Sequence, residues 1–153
     1  MDATDNEPYL LVRDKAYSYL TRREYSRSEL YQKLIRLKEI DAGVVEQVLD
    51  DLVSAGAQSD LRFAEHLCRV RINQGKGPVL IEHELNQHKI DSESIEQVMS
   101  EHSDEWRRLA LDVRQKKFGP EPPADFKEWA KQARFLQQRG FGNAEIGSFN
   151  DID

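Results

Sequence analysis

A block of residues recurs fifty positions along the chain, and that repeat limits the possible folds more than any other feature. Ile40 and Asp41, then Val45, Glu46, Gln47, Val48 and Leu49, reappear as Ile90 and Asp91, then Ile95, Glu96, Gln97, Val98 and Met99. A weaker third copy follows at 51 positions from Ile90, Ile95 and Val98, as Phe141, Ile146 and Phe149, with Leu136 answering Leu85. Charge repeats in step. Residues 13–40 hold eight cations and four anions, net +4, and residues 41–60 hold five anions and no cation; the same alternation gives +2 then −6 across 61–90 and 91–105, and +5 then −3 across 106–139 and 140–153. Units of this size bury a continuous core only by stacking on their neighbours, so the expected shape is elongated and curved.

Each repeat reads as three helices. In the first, Leu10, Leu11, Ala16, Tyr17 and Leu20 mark one helix. Ser26 and Glu29 are spaced as a capping box, in which hydroxyl and carboxylate satisfy each other's free backbone donors, and they open a second helix through Leu30, Leu34 and Leu37. Asp41 is placed to cap a third, which carries Val45, Val48, Leu49 and Leu52 and stops at Gly56. In the second repeat Asp60 is expected to cap a helix through Phe63, Ala64, Leu67 and Val70 that ends at Gly75. Gly77 and Pro78 then restart the chain, with Pro at the first helical position where its missing N–H costs nothing, and Asp91 or Ser92 opens the next helix. In the third, a helix from Trp106 closes at Gly119, and Asp125 with Glu128 repeats the capping box before Trp129, Ala133 and Leu136. Gly140 ends that helix, and a short last one runs through Ile146 and Phe149. No segment shows strand alternation. The expected fold is therefore all-α, with three tandem three-helix repeats over residues 9–58, 59–102 and 103–150.

Composition narrows the function. Of 153 residues, 39% are hydrophobic and 33% charged, against usual shares of roughly 45–50% and about 25%, which fits a thin, highly solvated body. No run approaches the roughly 18 apolar residues of a membrane span, and the first residues lack the cationic start of a signal peptide, so a cytoplasmic protein without membrane contact is expected. Cys68 stands alone in an apolar pattern and reads as a buried structural thiol. The net charge of −6 disfavours nonspecific nucleic-acid binding, which depends on cations displacing phosphate counterions.

Catalytic and metal-binding patterns are missing. His83 and His88 are five apart, which points them to different helix faces, and neither joins a zinc-ligand spacing. There is no Gly-x-Ser-x-Gly elbow, and Gly75, Lys76, Gly77 and Pro78 lack the spacing and hydroxyl residue of a phosphate loop. Enzymatic activity, a metal and a cofactor are not expected, and nothing demands more than a monomer.

What remains is a recurring set of cations. Arg23, Arg27 and Lys33 lie in the first repeat, Arg69, Arg71 and Lys76 in the second, and Lys117 and Arg139 in the third. Taken singly, each reads as a solvated helix face. Their recurrence in one register makes them the candidate partner-binding residues, because Arg forks pair well with carboxylates and phosphates. Tyr25 and Tyr31 beside the first group serve either as stacking area or as half-buried core.

Asp60, Arg62, Phe63 and Ala64, followed by Arg71, Gly75, Gly77, Pro78, Ile81, Glu84 and Leu85, resemble the central signature of RecX, the bacterial regulatory protein of RecA. Tyr25, Ser26, Glu29, Leu30, Lys33 and Leu34 resemble its first motif, and Lys117, Phe118, Gly119, Phe135, Leu136, Arg139, Gly140 and Phe141 its third. The resemblance runs from about Tyr9 to Phe149. It implies three tandem three-helix repeats, binding to RecA and its nucleoprotein filament, and suppression of recombinase, ATPase and coprotease activities. One departure stands out. The family usually has Lys then Gly before the Ile read at Ile90, whereas His88 and Lys89 stand here, so the turn loses its permissive Gly. The leading expectation is an inhibitor lying along the RecA filament, with possible DNA contact through a basic face. The alternatives are an autonomous helical nucleic-acid-binding module, which predicts tight, salt-sensitive DNA binding without RecA, and a scaffold for an unrelated partner.

Overall fold

A computed structural model describes residues 3–147, and every regular element among them is a helix: α1 Ala3–Leu20, α2 Arg27–Leu34, α3 Ala42–Ser54, α4 Asp60–Asn73, α5 Pro78–Gln87, α6 Ser92–Glu101, α7 Trp106–Phe118, α8 Phe126–Gln138 and α9 Asn143–Ile146. Phe149, expected in the last helix, lies outside the described residues. No helix among the described residues is long and apolar enough to cross a membrane. The helices gather into two compact units, one running through His66 and taking back His88–Ile90, the other holding Leu67–Gln87 and the chain from Asp91 onward.

The first unit packs α1, α2 and α3 around one apolar core. Val12 and Ala16 of α1 meet Leu30 and Leu34 of α2 and the Val45, Val48, Leu49 and Leu52 stripe of α3, all buried. The three- and four-residue spacing of that stripe puts it on one helix face. The capping box forms as expected: Glu29 N donates to Ser26 Oγ at 3.1 Å and Ser26 N to Glu29 Oε1 at 3.3 Å. Helix α2 is shorter than its apolar pattern, because Leu37 falls in a tight turn whose N–H reaches Leu34 O at 3.1 Å. Asp41 holds the N-cap position of α3, but its side chain makes no capping bond.

Asp60 plays a different part from the expected one. It is the first residue of α4, and Ser59 provides the capping hydroxyl, accepting from Arg62 N at 3.1 Å. The Asp60 carboxylate accepts instead from Arg27 N at 2.8 Å and from Gln58 Nε2 at 2.9 Å. Arg27 N is one of the free donors at the start of α2, so a negative charge from another helix satisfies it and meets the positive end of the helix dipole. Gln58 is buried and also donates to Tyr25 O at 3.1 Å, which closes the network.

The second unit buries Ala110 and Val113 of α7 against Ala133 and Leu136 of α8, with Phe141 and Ile146 beyond. Cys68 is buried here, and burial, followed by the charges of Glu105 and Glu101, pushes its thiol up to about 11, so it is not an activated nucleophile. Asp91 caps α6 through Ser94 N at 3.0 Å. At α8 only half of the expected box forms: Asp125 accepts from Glu128 N at 2.8 Å, while Glu128 turns to Gln132 Nε2 at 3.2 Å.

The Gly77–Pro78 turn shows why the resemblance to a phosphate loop is empty. Gly77 N donates to Arg139 O at 2.7 Å and Val79 N to Gly140 O at 2.9 Å, so backbone donors at the start of α5 are occupied by the turn after α8. A Cβ on Gly77 would lie 2.5 Å from Gly140 O, and one on Gly140, where φ is +97°, would lie 2.7 Å from Leu80 Cγ. Both glycines are required by this close approach of two backbones.

The sequence repeat has a counterpart in the backbone. Glu39 at φ 63°, Lys89 at φ 58° and Gly140 at φ 97° all adopt the left-handed conformation, at the same 50- and 51-residue offsets. The turn that lost its expected Gly thus keeps the left-handed geometry with a lysine in it.

Candidate partner-binding surface

Within the first unit, Arg23 and Lys33 converge on a pair of tyrosines. The rings of Tyr19 and Tyr25 lie 5.6 Å apart at 55°. The Arg23 guanidinium sits 3.6 Å from the Tyr25 ring centre, and Lys33 Nζ lies 5.2 Å from Tyr19 and 6.0 Å from Tyr25. Such placements let the ring quadrupole attract a cation. Tyr25 is buried, so the core reading is right for its position, yet one face of it carries a guanidinium. Lys15 joins the group, 5.4 Å from Tyr19. It was not among the expected residues, although its four-residue spacing to Tyr19 on α1 was a readable signal.

Arg23 is also tied down. Its Nη2 meets Glu29 Oε2 at 2.8 Å and its Nη1 donates to Glu24 O at 2.9 Å. Burial acts to raise the Glu29 carboxyl, but the Arg23 hydrogen bond, the Ser26 N–H and the charges of Arg23 and His88 outweigh it and hold the group below its ordinary value. His88 completes this corner, with Nδ1 3.8 Å from Glu29 Oε1 and its ring 4.8 Å from Phe63 in an edge-on contact.

Arg27 points elsewhere. Its Nη2 is 2.8 Å from Glu46 Oε2 and 2.7 Å from Asp50 Oδ1, so it links α2 to α3 and stands apart from the tyrosine group.

In the second unit, Arg71 forms a two-pronged pair with Glu84, Nε to Oε2 at 2.8 Å and Nη2 to Oε1 at 2.6 Å, which joins α4 to α5. Arg69 is exposed, and Lys76 is half-buried in the turn after α4. Lys117 and Arg139 come together over one ring, at 5.7 Å and 5.9 Å from the Phe135 centre. Arg139 also donates through Nη2 to Gln74 O at 3.3 Å.

The eight expected residues thus divide by role. Arg27 and Arg71 hold helices together, Arg23 with Lys33 and Lys117 with Arg139 form two cation-on-aromatic groups, and Arg69 and Lys76 join neither. Arg114, one more cation of the third repeat, does not belong to the surface. It is in fact buried, donating to Glu121 O and Gln132 Oε1, each at 3.1 Å, and it braces α7 against α8 and the proline linker.

Family models for the first, second and third three-helix domains of RecX match residues 13–52, 59–99 and 104–149. The chain belongs to the RecX family. Relatives each named "Regulatory protein RecX" include one from Halorhodospira halophila, 43% identical over 130 residues that cover 85% of this chain and 80% of the relative. One from Legionella pneumophila (strain Corby) is 42% identical over 128 residues, covering 84% and 85%. Among solved structures, RecX from Lactobacillus salivarius superposes with a TM-score of 0.81 at 19% identity, covering 94% of this chain and 95% of that one. A second RecX structure gives 0.80 at 21% identity, covering 95% and 72%. At these identities the structural likeness speaks for the RecX fold alone.

Proposed function

We propose that this protein is a RecA regulator that binds the RecA nucleoprotein filament and inhibits its ATPase, strand-exchange and coprotease activities. The observation that carries this reading is RecX family membership along nearly the whole chain, since relatives at about this length bear the name "Regulatory protein RecX". The three repeats, at 9–58, 59–102 and 103–150, supply the binding surface. Arg23 and Lys33 on the tyrosine pair and Lys117 and Arg139 on Phe135 are its proposed contact groups, because their charges lean on aromatic rings, whereas Arg27 and Arg71 serve chiefly to brace helices.

The mechanism is a shift of population. A ligand that binds best to a filament state unable to extend or turn over ATP enriches that state only by its differential affinity for it. A net charge of −6 fits a partner that is a protein filament better than bare DNA. Co-sedimentation with RecA filaments on single-stranded DNA, beside the same DNA without RecA, tests the reading. Pelleting with the filament and weak binding to bare DNA is the expected result. Tight, salt-sensitive binding to bare DNA that RecA does not improve would favour the autonomous DNA-binding reading and overturn this one.

A further inference from the structure

A cleft of about 350 Å³ opens in the second unit where the end of α4 meets α7 and α8. Its floor is apolar, from Ile72, Leu109, Val113 and Phe135, and its rim carries Lys116, Lys117 and Arg139 against one carboxylate, Asp112. The lysines also complement the negative end of the α7 dipole. That accounts for cations at a helix end, but not for the apolar floor beneath them. Arg139 is held at the edge of the cleft by Nη2, which donates to Gln74 O at 3.3 Å.

We infer that this cleft receives an acidic peptide segment of a partner protein, with one large apolar side chain on the floor and flanking carboxylates on the rim. The volume lies at the small end of the range for binding pockets, roughly 300–1,000 Å³, which suits one anchoring side chain. Three cations around one opening give the charge complementarity that selects an acidic partner. Single-stranded nucleic acid fits less well. Strand-binding grooves track a backbone with a line of cations and offer aromatic faces to successive bases. Here the cations surround a single cleft in place of a line, and Asp112 sits on its wall, where it would repel a phosphate backbone. The inference adds a local binding chemistry to the RecA reading and does not depend on RecA being the partner.

The test uses the full chain without RecA. Fluorescence anisotropy follows a labelled pentapeptide of four aspartates around a central phenylalanine, the same peptide with central alanine, and a labelled oligo(dT) strand. The phenylalanine peptide is expected to saturate with a Kd below about 1 mM and to bind more tightly than the alanine peptide. Reversal of both exposed lysines, Lys116→Glu with Lys117→Glu, is expected to weaken it roughly tenfold, and Asp112→Asn to tighten it about threefold. Circular dichroism confirms that the variants remain folded, and the opposite sign of the Asp112 variant separates a lost site from a lost fold. No saturation, equal binding of the alanine peptide, or no response to these substitutions overturns the inference. Oligo(dT) binding more tightly than the peptide, and lost with the same substitutions, overturns it in favour of nucleic acid. Failure of any of these leaves RecA binding untouched, while absence of RecA binding with the peptide result intact removes only the RecA reading.

Discussion

Lys89→Gly is expected to stabilise the protein. Lys89 sits at φ 58°, in the turn where family resemblance leads one to expect Gly, and its side chain is exposed. A non-Gly residue in the left-handed region costs about 1–2 kcal/mol through the clash of Cβ with the following carbonyl. Glycine removes that clash but loses more chain entropy on folding, roughly 0.5–1 kcal/mol relative to Ala. The difference leaves a net gain of about 0.5–1 kcal/mol. With a urea m-value near 2 kcal/mol/M, the midpoint should rise by about 0.3–0.5 M. Two controls isolate the cause. Lys89→Ala keeps the Cβ clash and should bring no such gain, and Gln87→Gly, at the last position of α5, should lower the midpoint because only the entropic penalty acts there. Urea unfolding followed by circular dichroism reads all three. If Lys89→Gly is no more stable than Lys89→Ala, left-handed strain at this turn is refuted.

Gly77→Ala should destabilise by about 3 kcal/mol or more, seen as a lower urea midpoint, because the new Cβ would strike Gly140 O and part the two backbone hydrogen bonds between these turns. Arg114→Met should cost about 2–4 kcal/mol on the same measurement, since it leaves the Glu121 carbonyl and the Gln132 amide without their buried donor. Glu29 gives a pH dependence. A carboxyl held below its unfolded value contributes stability above that value and loses it as pH falls through the folded one, so the wild type should weaken below about pH 4.3. Glu29→Gln should be less stable at neutral pH and show a shallower fall on the acid side, compared by thermal unfolding across that range.

The parts of the fold legible in the sequence are those governed by short-range rules. Ser26 and Glu29 stand three apart and form their box; Pro78 begins a helix; the Val45, Val48, Leu49 and Leu52 stripe faces a core. What stayed hidden depends on residues distant in the chain. Asp60 looks like a cap because of its neighbours, and only the approach of Arg27 N, 33 residues earlier, gives it another partner. Arg114 shares its composition with exposed cations, and its burial follows from Gln132 lying 18 residues away on α8. The candidate surface was legible as a set of cations but not by role, since nothing local distinguishes Arg71, clasped by Glu84, from Lys117, which leans on Phe135. The Gly77–Gly140 contact shows a middle case: both glycines were visible as punctuation, while their shared purpose required the two turns to meet.

The most direct test of RecA regulation is the ATPase rate of RecA on single-stranded DNA as this protein is titrated in. Inhibition that deepens with the ratio of protein to RecA is expected, at low ratios if it caps growing filament ends and near one molecule per few protomers if it coats the filament. Charge reversal of Arg23, Lys33, Lys117 and Arg139 together should shift the curve to higher ratios. An ATPase rate unchanged at stoichiometric excess of the folded protein would contradict the proposed function.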